Sequence, residues 1–171
     1  MHRYQAINAP MATTAATAKV TTGTSIKTML QIATPATRQL QVISWGFSID
    51  AAPATTSTGT VELIQTDVAA TVTAHVASGV QPLDPNAPAS LVTLGTAFTG
   101  YTGTAEGTIT GTRAFDVQLI PGLTAGGSGI EPYSYQFMPD ERPFVGTSKF
   151  LRVRATFAAA VNLLCWVVWD E

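Results

Sequence analysis

The sequence of 171 residues predicts an all-β fold, an antiparallel β-sandwich of jelly-roll-like form with an extended N-terminal arm. Three observations point there. Apolar side chains recur with a period of two in short segments, the spacing of half-buried strands. Threonine (27) and alanine (25) dominate the composition; threonine suits pleated surfaces, and no A/E/K/L/R run accompanies the alanines to argue for helix. Proline- and glycine-rich stretches separate the segments. Residues 1–24 are expected to be the arm, and residues 25–171 a single sandwich domain large enough to bury a core.

The arm carries little periodicity, with at most a short strand near Thr17–Val20. Arg3, Tyr4 and Ile7 would be contact residues if it lies on a neighbour. Ser25–Thr34 fits two patterns. Ile26, Met29, Leu30 and Ala33 make a helical stripe, Ile26, Leu30 and Ile32 a strand; the flanking threonines and Thr34–Pro35 favour strand. Gln39–Asp50 reads as a long strand. Leu40 and Val42 lie on one phase and Trp45, Phe47 and Ile49 on the other, a slip near Ile43–Ser44 that a β-bulge would produce. Val61–Thr66 and Ala70–Val76 read as a hairpin, with Val72, Ala74 and Val76 inward and Thr71, Thr73 and His75 outward. Residues 78–112 are loop with one or two short strands. Arg113–Ile120 alternates Phe115, Val117 and Leu119 against Asp116 and Gln118, and Tyr133, Tyr135 and Phe137 mark an aromatic-lined strand.

The chain closes on Ser148–Glu171, read as a hairpin. Leu151, Val153, Ala155 and Phe157 alternate with Phe150, Arg152, Arg154 and Thr156. The last strand is apolar on both faces: Leu163, Cys165, Val167 and Trp169 on one, Leu164, Trp166 and Val168 on the other. A strand apolar on both sides needs cover on both sides. Burying Leu164, Trp166 and Val168 is worth roughly 2–3 kcal/mol each, against a net domain stability of about 5–15 kcal/mol. A subunit contact is therefore expected there, with Leu164, Trp166, Val168 and Trp169 as interface candidates. Core packing or a sugar-stacking platform are other uses for Trp166 and Trp169, and core packing is expected of Trp45.

Composition bounds the chemistry. Charged residues are 12% and the formal net charge is −2, with basic residues scattered, so phosphate neutralisation on a nucleic acid is not expected. Cys165 has no cysteine partner and sits in an apolar run, as a buried thiol would. No secretory h-region follows the start and no apolar stretch is long enough to span a bilayer, so a soluble protein made in a reducing compartment is expected. His2 and His75 offer no metal-ligand spacing. Ser128 lacks a nucleophile-elbow context, and Gly126–Gly129 precedes no helix. Asp67, Asp84 and Asn86 suit turns better than calcium, Pro85 and Pro88 breaking the spacing. Asp140 and Glu141 read as a charged turn, and Asp170 and Glu171 could pair with Arg152 or Arg154 across the hairpin. No cofactor, no metal site and no enzymatic activity are expected.

Residues 24–46 (TSIKTMLQIATPATRQLQVISWG), the TVTAHVASGVQP segment and the closing KFLRVRATFAAAVNLLCWVVWDE resemble the β-sandwich head decoration, or cement, proteins of tailed bacteriophages. The resemblance implies a homotrimer, made in the host cytoplasm, that sits on the capsid exterior and clamps the major capsid protein, with the arm reaching across the shell. A carbohydrate-binding module of a phage tail or fibre is the alternative, drawn from Tyr101, Tyr133, Tyr135 and the loop over residues 78–112.

Overall fold

The computed structural model describes residues 2–11, 13–53, 57–122 and 130–171; Ser128 and Gly126–Gly129 lie outside them. The described residues form an antiparallel β-sandwich. Its strands in order are β1 (Arg3–Ile7), β2 (Val20–Thr21), β3 (Ile26–Ala33), β4 (Leu40–Ile49), β5 (Gly59–Thr66), β6 (Thr71–Ala74), β7 (Val80–Pro82), β8 (Gly100–Ala105), β9 (Thr112–Ile120), β10 (Tyr133–Gln136), β11 (Phe144–Val145), β12 (Phe150–Phe157) and β13 (Asn162–Asp170). The first sheet runs β10-β4-β13-β1-β7, with β2 pairing β13 and β11 pairing β4; the second runs β6-β8-β3-β12-β5-β9. The chain switches sheets repeatedly, as jelly-roll-like sandwiches do, so neighbours in a sheet are distant in sequence.

Between the sheets lies one apolar core. Its largest fully buried side chains include Trp45, Trp169, Tyr4, Phe157 and Met29. The alternation of β12 holds, since Leu151, Val153, Ala155 and Phe157 all enter the core. Ser25–Thr34 resolves as strand. Met29 sits at a register shift between β3 and β12 and still packs inward, which is why it mimicked a helical stripe. The phase slip of β4 is a bulge: Val168 pairs Ser44 while Trp169 pairs Val42, with Ile43 between. Leu40 and Val42 thereby share the core side with Trp45 and Phe47.

Two expected hairpins are not hairpins. β12 pairs β3 and β5, whereas β13 pairs β4 and β1, so residues 158–161 form a corner between sheets. The ion pairs move accordingly: Arg154 meets Glu62, Arg152 meets Glu106, and Asp170 meets Arg3. Likewise β5 pairs β12 and β9, and β6 pairs β8. Beyond Ala74 a turn of 3-10 helix, Ala77–Gly79, inverts the phase. Val76 emerges 65% exposed and His75 becomes buried. Its Nε2 is 2.8 Å from the Ile7 carbonyl oxygen, and a Cβ on Gly79 would stand 2.4 Å from its Nδ1, so only glycine fits there.

The start of the expected arm, Arg3–Ile7, is a strand that lies within its own subunit. β1 enters the first sheet between β13 and β7. Tyr4 stacks on Trp169 with ring centroids 6.2 Å apart, and its hydroxyl donates to the Pro88 carbonyl. Asn8 is fully buried, its amide donating to the Leu163 carbonyl and its Oδ1 accepting the Cys165 N–H. Alternation over Arg3–Ile7 puts just Tyr4 and Ala6 inward, too short a pattern to read as a strand.

Candidate functional site: the outer face of the first sheet

Three central strands build this face. β13 presents Leu164, Trp166 and Val168 outward while Leu163, Cys165, Val167 and Trp169 fill the core. Register places Ile7 of β1 and Gly46 of β4 on either side of Trp166, Gln5 and Ser44 beside Val168, and Ser48 beside Leu164. The indole of Trp166 lies over Gly46: a Cβ there would come within 2.9 Å of two ring atoms and 2.5 Å of the Tyr133 carbonyl oxygen. Glycine at 46 thus lets a large aromatic ring lie down on the sheet.

What remains open is a hollow of about 420 Å³, with Ile7, Thr17, Pro132, Ser134, Leu164 and Trp166 in its wall. A smaller one of about 120 Å³ shares Leu164 and Ser48 and is rimmed by Lys19, Asp50 and Asn162. Lys19 pairs with Asp50 at 3.1 Å, and the Asn162 side chain donates to the same carboxylate. The Asn162 hydrogen bond, ahead of Lys19, holds the Asp50 carboxyl below its usual range. The larger hollow therefore carries an apolar floor, and the smaller one a charge-paired rim.

Each residue singled out in the sequence has a definite place. Leu164 and Trp166 are half-buried and border the larger hollow. Val168 is only 7% exposed, covered within its own subunit, and Trp169 is 0% exposed in the core; neither is open to a partner. Tyr4, at 1%, is withdrawn from contact for the same reason. Ile7 is half-buried on the rim of the hollow, and Arg3 is exposed, its Nε 3.5 Å from the Asp170 carboxylate. Trp45 packs in the core and donates its indole N–H to Asp116 at 3.0 Å. Tyr101 lies 4.8 Å from the His75 ring, facing it as a packing partner.

Comparison with protein-family models, with curated proteins and with solved structures finds no match.

The other polar residues serve the fold. Burial pushes the Cys165 thiol well above its ordinary pKa, which keeps it protonated and inert. Asn86 N–H donates to Asp84 Oδ1, a turn of Asx type. Asp67 accepts from the Thr110 hydroxyl and N–H, and these bonds, the hydroxyl's first, lower its carboxyl to about 2. Among the described residues no three His, Cys, Asp or Glu side chains gather as a metal site would require.

One polar cluster was not anticipated. The apolar face of β9 points to solvent, with Val117 50% and Leu119 78% exposed, while Asp116 and Gln118 turn toward β10. Alternation along Arg113–Ile120 reveals two faces but not which one turns in, and no sequence signal marks Asp116 as the acceptor for Trp45.

Proposed function

We propose that this protein is a structural virion subunit, a decoration or cement protein that trimerises and binds the exterior of a bacteriophage capsid. The observation that carries the reading is the apolar hollow at Ile7, Leu164 and Trp166, open on the outer face of β13 in an otherwise Thr-rich, weakly charged chain. Half-buried aliphatic and aromatic side chains around a shallow depression are the composition of a protein contact. The sequence resemblance to phage cement proteins supplies the identity of the assembly, and with it the expectation that the partner is the major capsid protein.

Function would follow by mass action. A trimer that binds the mature shell and not its dissociated subunits stabilises the shell by RT ln(1 + [L]/Kd), about 2.7 kcal/mol per site at a hundredfold excess over Kd. Arg3 and Ile7, at the margin of the face, would contribute to the contact. The test is cosedimentation of the purified protein with expanded capsids lacking it, followed by imaging of the decorated particles. Density at local threefold positions and a raised disruption temperature are expected. A chain that neither sediments with the shells nor alters their disruption overturns the reading.

A further inference from the structure

A second cleft lies at the open edge of the sandwich, where β9 closes one sheet and β10 the other. It is an open depression of about 450 Å³, with Phe115, Asp116, Gln118, Tyr133, Tyr135 and Glu141 in its wall, a volume within the range of small-molecule sites. Its hydrogen bonding is directional. Asp116 Oδ2 accepts the Trp45 indole N–H at 3.0 Å and the Tyr133 hydroxyl proton. The Gln118 amide donates one hydrogen to Asp116 Oδ1 at 2.7 Å and the other to the Tyr133 oxygen at 3.1 Å. A carboxylate only accepts, so the amide nitrogen must face it and Oε1 must turn away.

Every donor of this triangle is therefore spent internally, and what it leaves over are acceptors: Gln118 Oε1, a lone pair of Asp116 Oδ1, and the exposed Glu141 carboxylate. Beside them stands Tyr135, 40% exposed and braced edge-on by Phe137 at 5.0 Å. Burial, reinforced by Asp116, keeps the Tyr133 hydroxyl protonated far above its usual pKa, so its proton stays committed to the carboxylate. A complementary ligand brings several hydroxyl donors and an apolar face to lay on an aromatic ring. Arg113 stands over the Phe115 ring, 5.3 Å from its centroid, a cation at the edge of the site.

We propose that this cleft is a binding site for a neutral sugar unit, stacked on Tyr135 and hydrogen-bonded through its hydroxyls to Gln118, Asp116 and Glu141. The site opens beside β9, with Tyr133 common to its wall and to that of the hollow on β13, and it places glycan recognition at Asp116, Gln118, Tyr135 and Glu141 instead of the loop over 78–112. The experiment is saturation-transfer NMR on the full chain with glucose, galactose, mannose and N-acetylglucosamine, each at millimolar concentration, and with free arginine as the cationic comparison. At least one sugar should receive saturation, and arginine none. Tyr135→Ala should weaken that sugar about tenfold or more with thermal unfolding unchanged; Glu141→Ala, at an exposed carboxylate, should weaken it several-fold. Saturation of no sugar, saturation of arginine alone, or a sugar bound equally well by both variants overturns the proposal.

Discussion

On the outer face of the second sheet, Gln31 of β3 and Arg152 of β12 are polar and completely buried; on the outer face of the first, Leu164 and Trp166 of β13 are apolar and only half-buried. The difference lies in what the chain spends on each. Segments 46 to 84 residues away fold over Arg152, whose guanidinium donates to the Glu106 carboxylate and carbonyl and to the Val68 carbonyl. Gln31 is held by the Ala70 and Phe98 carbonyls and by the Ala70 N–H. Glu106 also accepts the Thr28 N–H and hydroxyl, at 2.6 and 2.7 Å. A polar face has been closed by the protein's own loops, while an apolar face is covered only in part. Exposed apolar area is the costlier of the two to leave in water, so the arrangement makes sense if the uncovered face is completed in an assembly.

Breaking the covered face should have the largest effect. Arg152→Ala removes the cation beside Glu106 and the donor to the Val68 carbonyl in a site where the arginine is 0% exposed, and should cost about 3 kcal/mol, toward the lower end for a buried pair because Glu106 keeps some solvent and its Thr28 hydrogen bonds. Urea denaturation checks it. Gly46→Ala comes next. Its methyl group would overlap the Trp166 ring and the Tyr133 carbonyl, and overpacking of this kind costs about 1–3 kcal/mol. Pairing it with Trp166→Ala should recover the part owed to the ring and leave the part owed to the carbonyl.

A smaller, pH-dependent effect belongs to His75, which ties the end of β1 to the 3-10 turn. Burial lowers its pKa, with the Ile7 hydrogen bond opposing in part. The unfolded chain then binds the proton more readily than the folded one, so this contribution is complete above the unfolded pKa of about 6.5 and is lost as pH falls toward the folded value. Denaturation midpoints should drop between about pH 7.5 and 5.5, and less so in His75→Gln. The smallest effect on the isolated subunit is expected at the partly covered face itself: Leu164→Ser should cost about 1 kcal/mol of unfolding free energy, because that side chain is only half-buried.

Much of the sandwich was legible because period two survives wherever one face is buried. The alternation of β12, the bulge of β4 and the core position of Trp45 all follow from which residues must leave water. Pairing was not legible. Alternation encodes a strand's faces but not its neighbours, so β12–β13 and β5–β6, adjacent in sequence, read as hairpins although β12 and β13 lie in different sheets and β5 and β6 stand apart within one. The burial of Val168 was missed for a related reason: a residue beside a bulge is covered by neighbours that no linear pattern reveals. The roles of Arg152 and Asp116 were not legible because their partners, Glu106, Val68, Trp45 and Tyr133, are set by the fold and not by a local pattern. At the apolar hollow, Leu164, Trp166 and Ile7 could be named in advance, whereas Gly46, the residue that lets Trp166 lie flat, could not.

The central claim is that the outer face of β13 is completed by other copies of this chain, and multi-angle light scattering of the purified protein at micromolar concentration addresses it most directly. A mass three times the 17.9 kDa of one chain, falling to that of a single chain in Trp166→Ser with the fold intact, is the result predicted. A single-chain mass for the unaltered protein, or a trimer indifferent to the loss of Trp166, would contradict it.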